Sequence, residues 1–289
     1  MKKYLFIFVF CFSCLAANAQ LLWQISGNGV GAKSYLLATD QLTDQSFFDS
    51  IPNLFKIYGQ CTQLITEFEY NDSIMHTILL KAALLPDTTN LKKLYNTEEY
   101  NLLKEAVQLY LNLPIEQIGQ LKPIYINELL RQQIFIKWAD YNPDRSSDNF
   151  FQRIAIEQGM PMIGLDTTNE VVYIHYEREP LSWQQQELLR TAEHPEKEIQ
   201  QAKTISRYYQ NGKLNEIAYQ VQMPDNQTSI SYSDYKVYAA RNKEWVKKLE
   251  PYLKEGNQMI VLNCIYLGGD DGLIAQLRKA GYKVKPVNK

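Results

Sequence analysis

Polar side chains follow several predicted strands, and they offer most of the chemistry that this sequence contains. Glu67 and Asp166 each come at the end of a short apolar segment, and Gln41 and Tyr266 follow two others. Because α/β folds place their sites at the carboxyl ends of strands, we expect these side chains to converge with Arg241. Two interpretations stay open: a live ligand-binding site, or an internally paired network in which Arg241 neutralises the carboxylates.

The sequence motifs of common hydrolases and nucleotide-binding enzymes are missing. There is no G-x-S-x-G elbow, no H-E-x-x-H helix, no phosphate-binding P-loop and no pair of C-x-x-C motifs. The three histidines are His76, His175 and His194. None of them neighbours a nucleophile or a second metal ligand in the sequence, so we expect structural roles for all three.

The hydrophobic pattern favours a sheet built from both ends of the chain. Apolar segments typical of strands occur at residues 21–25, 34–39, 63–68, 160–165, 259–264 and 282–286. Helical periodicity occurs at residues 45–58, within 73–139, and at 147–159, 182–209, 232–252 and 271–280. The Gly27-Asn28-Gly29 turn predicts a hairpin between the first two strands. We therefore predict a mixed α/β fold, one domain over residues 20–289, in which the N- and C-terminal segments share a central sheet around a large, mainly helical insertion.

Residues 1–19 have the three parts of a secretory signal peptide. Lys2 and Lys3 precede the apolar run 4–15, and small residues at Ala17 and Ala19 mark the cleavage site. The apolar run is shorter than the roughly 20 residues that span a bilayer, and no later run reaches that length. We expect a protein without a membrane span that is periplasmic or secreted after cleavage near Ala19.

Charge and cysteine content narrow the function classes further. The formal net charge is −2, with 30 basic and 32 acidic residues, which argues against a nucleic-acid-binding role. Cys11 and Cys14 lie within the predicted signal peptide, so Cys61 and Cys264 remain after cleavage. A disulfide between them and a pair of buried free thiols are both open.

Short sequence blocks occur in a fixed order along nearly the whole chain after residue 20. They lie at residues 21–25, 34–39, 66–69, 121–123, 148–151, 164–167, 241–245, 266–273 and 277–284. In residue types and in order they resemble the TraB/GumN family, which includes the Tiki proteases. The resemblance implies a site made of two G-x-x-H motifs and an acidic residue at a strand end, which together support metal-dependent hydrolysis.

Both histidine motifs of that pattern are broken here. The segment from Ala38 through Asp40 to Gln41 stands where the first motif belongs, so that a carboxamide replaces the imidazole. Tyr266 stands at the histidine position of the second motif. A carboxamide is a poor ligand for a transition metal, and a phenol must first lose a proton from a pKa of about 10. The resemblance therefore predicts that tight metal binding is lost.

Other residues of the family pattern are retained. Glu67 matches the acidic strand end, and Asp166 replaces the usual glutamate with a side chain one methylene shorter. The further candidates for a remnant site are Asp148, Arg241, Asn242, Gly269 and Asp270. For Gly269 a tight turn is a sufficient explanation.

The resemblance thus predicts an exported, catalytically inactive relative of metal-dependent hydrolases, a binding or scaffolding module without a cofactor. Its partner would be a protein, a peptide or a component of the cell envelope. The alternative is a divergent hydrolase or peptidase with a divalent cation such as manganese, held by oxygen ligands from Asp40, Glu67, Asp166 and Asp270. A role in surface-polysaccharide assembly is suggested only by the name of one family branch.

Overall fold

The computed structural model describes residues 20–69, 73–222 and 232–287. The predicted signal peptide, residues 1–19, lies outside these ranges. Within them, no helix combines the length and the apolar character needed to cross a membrane.

The described residues form six strands and twelve α-helices. The strands are β1 (Leu22–Ser26), β2 (Ser34–Thr39), β3 (Gln63–Thr66), β4 (Met162–Gly164), β5 (Gln258–Asn263) and β6 (Lys283–Pro286). The α-helices are α1 (Leu54–Tyr58), α2 (Ser73–Ala82), α3 (Leu91–Leu94), α4 (Thr97–Leu111), α5 (Pro123–Trp138), α6 (Ser147–Gln158), α7 (Thr168–Val172), α8 (Leu181–Glu193), α9 (Pro195–Gln210), α10 (Leu214–Gln222), α11 (Tyr232–Glu255) and α12 (Leu273–Lys279). Short 3₁₀ helices cover Gln45–Ser50, Ile115–Ile118, Pro143–Arg145 and Cys264–Tyr266, and a π-helical turn covers Tyr173–Glu177.

One mixed sheet joins the two ends of the chain, in the strand order β4-β3-β5-β2-β1-β6. Strands β2, β5, β3 and β4 run parallel to one another, while β1 is antiparallel to both β2 and β6. The predicted mixed α/β fold, with N- and C-terminal segments sharing a sheet, is confirmed. The carboxyl ends of the four parallel strands therefore lie at one edge of the sheet.

Local sequence explains the hairpin that opens the sheet. Gly27, Asn28 and Gly29 all have positive φ angles, which glycine and asparagine adopt at low cost. The turn brings Leu22 opposite Leu37 in β1 and β2, and both side chains are buried. Burial of these apolar residues fixes the register, since a slip of one residue would expose them.

Two hydrophobic clusters among the described residues hold the fold together. The larger one surrounds the sheet and includes fully buried Trp245 from α11 and Tyr209 from α9. The second lies within the helical part, where Leu130 of α5 and Leu188 of α8 are fully buried. The large helical block that was predicted between the terminal strands therefore has a hydrophobic core of its own.

Several element boundaries differ from the sequence-based expectation. The single helix predicted for residues 45–58 is a 3₁₀ helix followed by α1, interrupted around Pro52, with Asn53 in the left-handed region. Proline disfavours a helical conformation at the residue before it, which explains the break. Helix α10 was not predicted, and the last helix begins at Leu273 rather than at Asp271 because Gly272 is its extended N-cap.

Cys61 and Cys264 are free and buried. Parallel pairing of β3 and β5 sets Ile65 beside Ile260, so Cys61 lies before one strand and Cys264 lies after the other. At ~3.3 Å per residue these positions are roughly 25 Å apart, whereas a disulfide needs Cα atoms within about 7 Å. Burial raises the pKa of Cys61 to about 12, which also makes this thiol unreactive.

Candidate functional site

The carboxyl ends of the parallel strands border a cavity of about 270 Å³, called here the sheet-edge cavity. Its walls include residues that follow three different strands, namely Gln41 after β2, Glu67 after β3 and Tyr266 after β5. Its remaining lining residues are Thr39, Thr66, Phe68, Tyr141, Ser146, Asp148, Asn149, Gln152, His175, Val261, Asn263 and Ile265. The parallel order of the strands thus brings together residues that are more than 200 positions apart in the sequence.

Glu67 is held from two sides. Its Oε1 accepts a hydrogen bond from the backbone N–H of Asn263 (3.1 Å), and its Oε2 lies 3.6 Å from Nη2 of Arg241. Burial raises the pKa of the Glu67 carboxyl, while Arg241 and the Asn263 N–H act in the opposite direction. The positive charge nearest to the Glu67 carboxylate is therefore the guanidinium of Arg241.

Arg241 extends from α11 and is fixed by the residues around it. Its Nε donates to Oδ2 of Asp166 (2.8 Å), its Nη2 donates to the same oxygen, and its Nη1 donates to the hydroxyl of Tyr266. The guanidinium carbon lies 4.6 Å from the centre of the Trp245 ring and 5.0 Å from that of Tyr266. Trp245 Nε1 donates in turn to Oδ1 of Asp166 (2.7 Å). Arg241 and Asp166 are both almost fully buried, so this is an internally paired network behind the cavity.

Asp148 is the second acidic residue that lines the sheet-edge cavity. It lies in the first turn of α6 and accepts a hydrogen bond from Nδ2 of Asn263 (3.0 Å). Burial raises its pKa to about 6, with a smaller contribution from the nearby Asp40. Within the described parts of the chain Asp148 forms no ion pair, whereas Arg241 neutralises Glu67. Asn263 links the two carboxylates of the cavity, because its backbone N–H donates to Glu67 and its Nδ2 donates to Asp148.

The donor set does not fit a divalent metal ion. Burial raises the pKa of Tyr266 well above its usual value, in spite of the neighbouring Arg241, so that the phenol stays protonated and is a poor ligand. A bound cation would also lie close to the guanidinium of Arg241, which is fixed 3.6 Å from Glu67. Across residues 20–69, 73–222 and 232–287, no three side chains among His, Cys, Asp and Glu are arranged to hold a metal.

Three of the four carboxylates that were expected as oxygen ligands in the alternative prediction do not line the cavity. Asp40 is buried and accepts hydrogen bonds from the hydroxyls of Thr43 (2.7 Å) and Ser206. Asp166 is occupied by Arg241 and Trp245, and Asp270 is exposed beyond the 3₁₀ turn that contains Tyr266. Glu67 alone of the four borders the sheet-edge cavity.

The other residues predicted for a remnant site have structural contacts. The carbonyl of Ala38 accepts from the Tyr209 hydroxyl (3.1 Å), and Nδ2 of Asn242 donates to the carbonyl of Tyr266 (2.9 Å). Gly269 has a φ of 77°, and a Cβ there would lie 3.0 Å from the Cβ of Ala218 in α10. These positions support the walls of the site and do not face the sheet-edge cavity.

His175 lines the sheet-edge cavity, although sequence reasoning assigned it only a structural role. It lies on the π-helical turn Tyr173–Glu177, with its Nδ1 3.1 Å from Oε1 of Glu128 and its ring edge-on to Phe68. The sequence analysis gave no reason to place a histidine at this cavity. A π-helical turn often marks a functional site, but it leaves no clear pattern in a single sequence.

Comparison with known proteins gives one result over nearly the whole chain. The model of the TraB/PrgY/gumN family matches residues 21–286. No curated protein and no solved structure matches the chain. The matched range includes every residue of the sheet-edge cavity.

Proposed function

The chain belongs to the TraB/PrgY/gumN family, and on that premise we propose that it is an exported binding protein that has lost the metal-dependent hydrolysis implied by the resemblance. Its ligand occupies the sheet-edge cavity at the carboxyl ends of β2, β3 and β5. The lysines, apolar run and small residues of positions 1–19 support export.

The position of Arg241 is the observation that carries this proposal. A catalytic metal both neutralises its carboxylate ligands and activates a water molecule. In this protein the guanidinium of Arg241 supplies the positive charge next to Glu67 and Asp166. Unlike a metal ion, a guanidinium cannot coordinate a water molecule and lower its pKa. The two carboxylates are still neutralised, but a fixed arginine side chain takes the place of the metal ion that would act as a Lewis acid.

The walls of the sheet-edge cavity support a binding role. Amide, hydroxyl and carboxylate groups line it together with the rings of Phe68 and Tyr141, a mixture that is typical of small-molecule sites. Asn149, whose buried Oδ1 has no hydrogen-bond partner within the described residues, adds an amide to these walls. A ligand that carries hydrogen-bond donors and an apolar face would match these walls.

A hydrolase with a divergent site is the rival function. It needs several carboxylates around one ion, and it finds support only in Glu67 and Asp148, which Asn263 links within the same cavity. The raised pKa of Asp148, about 6, would suit an acid–base role, yet the dispersed positions of Asp40, Asp166 and Asp270 favour the binding role.

A hydrolysis assay with chelator controls tests the proposal. The exported protein, the variant Glu67→Gln and the surface control Glu105→Gln are incubated with peptide libraries, with and without manganese and EDTA. We expect no chelator-sensitive hydrolysis from any of them. Ligand-observed NMR with the same libraries should detect binding that persists in EDTA and that Glu67→Gln weakens. Hydrolysis that both EDTA and Glu67→Gln abolish, but Glu105→Gln does not, would overturn the proposal.

A further inference from the structure

Asp148 is the carboxylate of the sheet-edge cavity whose charge is not fully offset by the protein. Arg241 neutralises Glu67, whereas among the described residues Asp148 forms no ion pair. The amide of Asn263 and the N-terminus of α6 supply only partial positive charge to it. Burial outweighs both and raises the pKa of Asp148 to about 6, so the group is still ionised at pH 7.5. Asp148 is only partly buried and lines the cavity, so a ligand can reach it.

The rest of the described cavity wall does not supply the missing positive charge. It contains no lysine and no arginine. His175 lines the cavity, but its Nδ1 lies 3.1 Å from Oε1 of Glu128. That carboxylate would balance a protonated imidazole, and a neutral imidazole carries no charge. In either form of His175, the wall therefore has a net negative charge at Asp148.

A second cavity of about 220 Å³ adjoins the sheet-edge cavity, and it is called here the α2 cavity. Phe68 and His175 border both cavities, which lie side by side and are open to solvent. The wall of the α2 cavity is mainly apolar, with Met75 and Leu79 of α2 and Val171 of α7. Its described residues include carboxylates but again no lysine and no arginine. A ligand that lies over Phe68 would therefore have a negative charge on one side and an apolar surface on the other.

These walls discriminate between classes of ligand. An anion would meet Asp148 with no lysine or arginine to offset it, and a neutral ligand would leave the carboxylate without a counter-charge. A divalent metal needs several oxygen ligands around one ion, whereas an ammonium group needs one carboxylate and a few hydrogen-bond acceptors. The rings of Phe68, Tyr141 and Tyr266 also line the sheet-edge cavity, and aromatic faces attract organic cations.

We propose that the two cavities together bind an alkylammonium ion, with its ammonium group on Asp148 and its apolar chain in the α2 cavity. This inference rests on the binding role proposed for the sheet-edge cavity and names the class of ligand that the cavity takes. A free aliphatic amine and the side chain of a lysine carry the same chemical group, and the experiment below distinguishes these two sources.

Calorimetric titration of the full exported protein at pH 7.5, with EDTA present, tests the charge preference. The probes hexylamine, hexanol and hexanoate have the same chain length, and the amine is protonated at this pH. We expect hexylamine to bind about tenfold or more tightly than the other two, since it alone pairs with Asp148. Nα-acetyl-lysine methylamide is titrated in parallel: tighter binding than hexylamine identifies a lysine side chain as the ligand, and weaker binding identifies a free amine.

The variant Asp148→Asn separates a ligand contact from a structural role. It should lower the affinity for hexylamine by about tenfold or more while the melting temperature stays the same or rises, because a buried charge is removed. A purely structural role would change stability and leave the preference for the amine over hexanol intact. Asp144→Asn is the matched control, since it removes an exposed carboxylate that lines neither cavity, and it should leave the affinity unchanged.

The length of the amine tests the position of its chain. Hexylamine should bind more tightly than ethylamine, by about fourfold for each methylene that becomes fully buried. Leu79→Gln makes the wall of the α2 cavity polar and should weaken hexylamine but not ethylamine. Leu80→Gln is the control, because Leu80 is 43% exposed and does not line the α2 cavity.

The proposal is overturned if hexylamine does not bind, if hexanol or hexanoate binds as tightly, or if Asp148→Asn leaves the affinity unaltered. It is also overturned if Leu79→Gln weakens ethylamine and hexylamine equally, since the chain then lies elsewhere. Each of these outcomes leaves the loss of metal-dependent hydrolysis untouched, because that claim is decided by the hydrolysis assay with chelator controls.

Discussion

At the scale of single residues, the protein contains two acidic side chains in one cavity that are stabilised in different ways. Glu67 has Arg241 as a partner, whereas the hydrogen-bond donors of Asp148 among the described residues are uncharged. Because their environments differ, the two carboxylates contribute differently to the stability of the fold, although they are close in space. The difference leads to opposite predictions for the removal of Asp148 and for the removal of Arg241, the partner of Glu67.

Replacing Asp148 should stabilise the protein near neutral pH. Burial raises its pKa from 3.8 to about 6, so the folded protein binds this proton more tightly than the unfolded chain does. Stability from this group is therefore present at low pH and is lost as the pH rises from about 4 to 6, which amounts to at most about 3 kcal/mol. Asp148→Asn should have a higher free energy of unfolding than the wild type at pH 7.5 and nearly the same at pH 4. Urea denaturation at both pH values checks this, and a loss of stability at pH 7.5 would show that the ionised form is favoured in the fold.

Replacing Arg241 should have the opposite effect. Arg241→Met leaves Asp166 and Glu67 without their cation, and breaking a buried pair typically costs about 3–5 kcal/mol. Lys247→Met is the control, because Lys247 forms an exposed pair with Glu244 that contributes less than about 1 kcal/mol. Urea denaturation of both variants at pH 7.5 measures the difference. Equal stabilities would mean that Arg241 does not neutralise the buried carboxylates.

At the scale of elements, close packing of backbone positions the turn that carries Tyr266. Gly268 follows this turn, and a Cβ there would lie 2.0 Å from the carbonyl oxygen of Leu214 at the start of α10. Such a contact cannot be relieved by a side-chain rotation, because the atom that it meets belongs to the backbone. Helix α10 and the turn therefore need glycine at this position.

Gly268→Ala should destabilise the protein by at least about 1–3 kcal/mol, since it forces α10 away from the turn that carries Tyr266. Gly59→Ala is the matched control: its Cβ would lie 3.5 Å from the nearest atom and its φ is −65°. That variant should be neutral or slightly more stable, by about 0.4–1 kcal/mol. Thermal denaturation compares the two, and a neutral Gly268→Ala would contradict the close approach.

At the scale of the whole molecule, the sequence predicts the sheet better than it predicts the site. The hairpin at Gly27-Asn28-Gly29 and the apolar segment at β5 are local signals, so the strands and their sharing of one sheet could be predicted. Convergence of Gln41, Glu67 and Tyr266 on one cavity followed from that topology.

Other parts of the site depend on contacts that no local pattern encodes. Asp40 and Asp166 were grouped with Glu67 as oxygen ligands of one ion in the alternative prediction. Their partners Ser206 and Trp245 lie far along the chain and hold them away from the cavity. The approach of His175 to Glu128 likewise depends on how the π-helical turn packs on α5. Long-range packing of this kind is where a single sequence gives least information.

The central claim is that a protein side chain, Arg241, takes the place of a metal ion beside Glu67. Metal content is the most direct test: the native protein and Glu67→Gln are exposed to manganese, cobalt and zinc, desalted, and analysed by inductively coupled plasma mass spectrometry. We predict only traces of metal, equal in both proteins. One equivalent of a divalent metal in the native protein that is lost in Glu67→Gln would contradict this account.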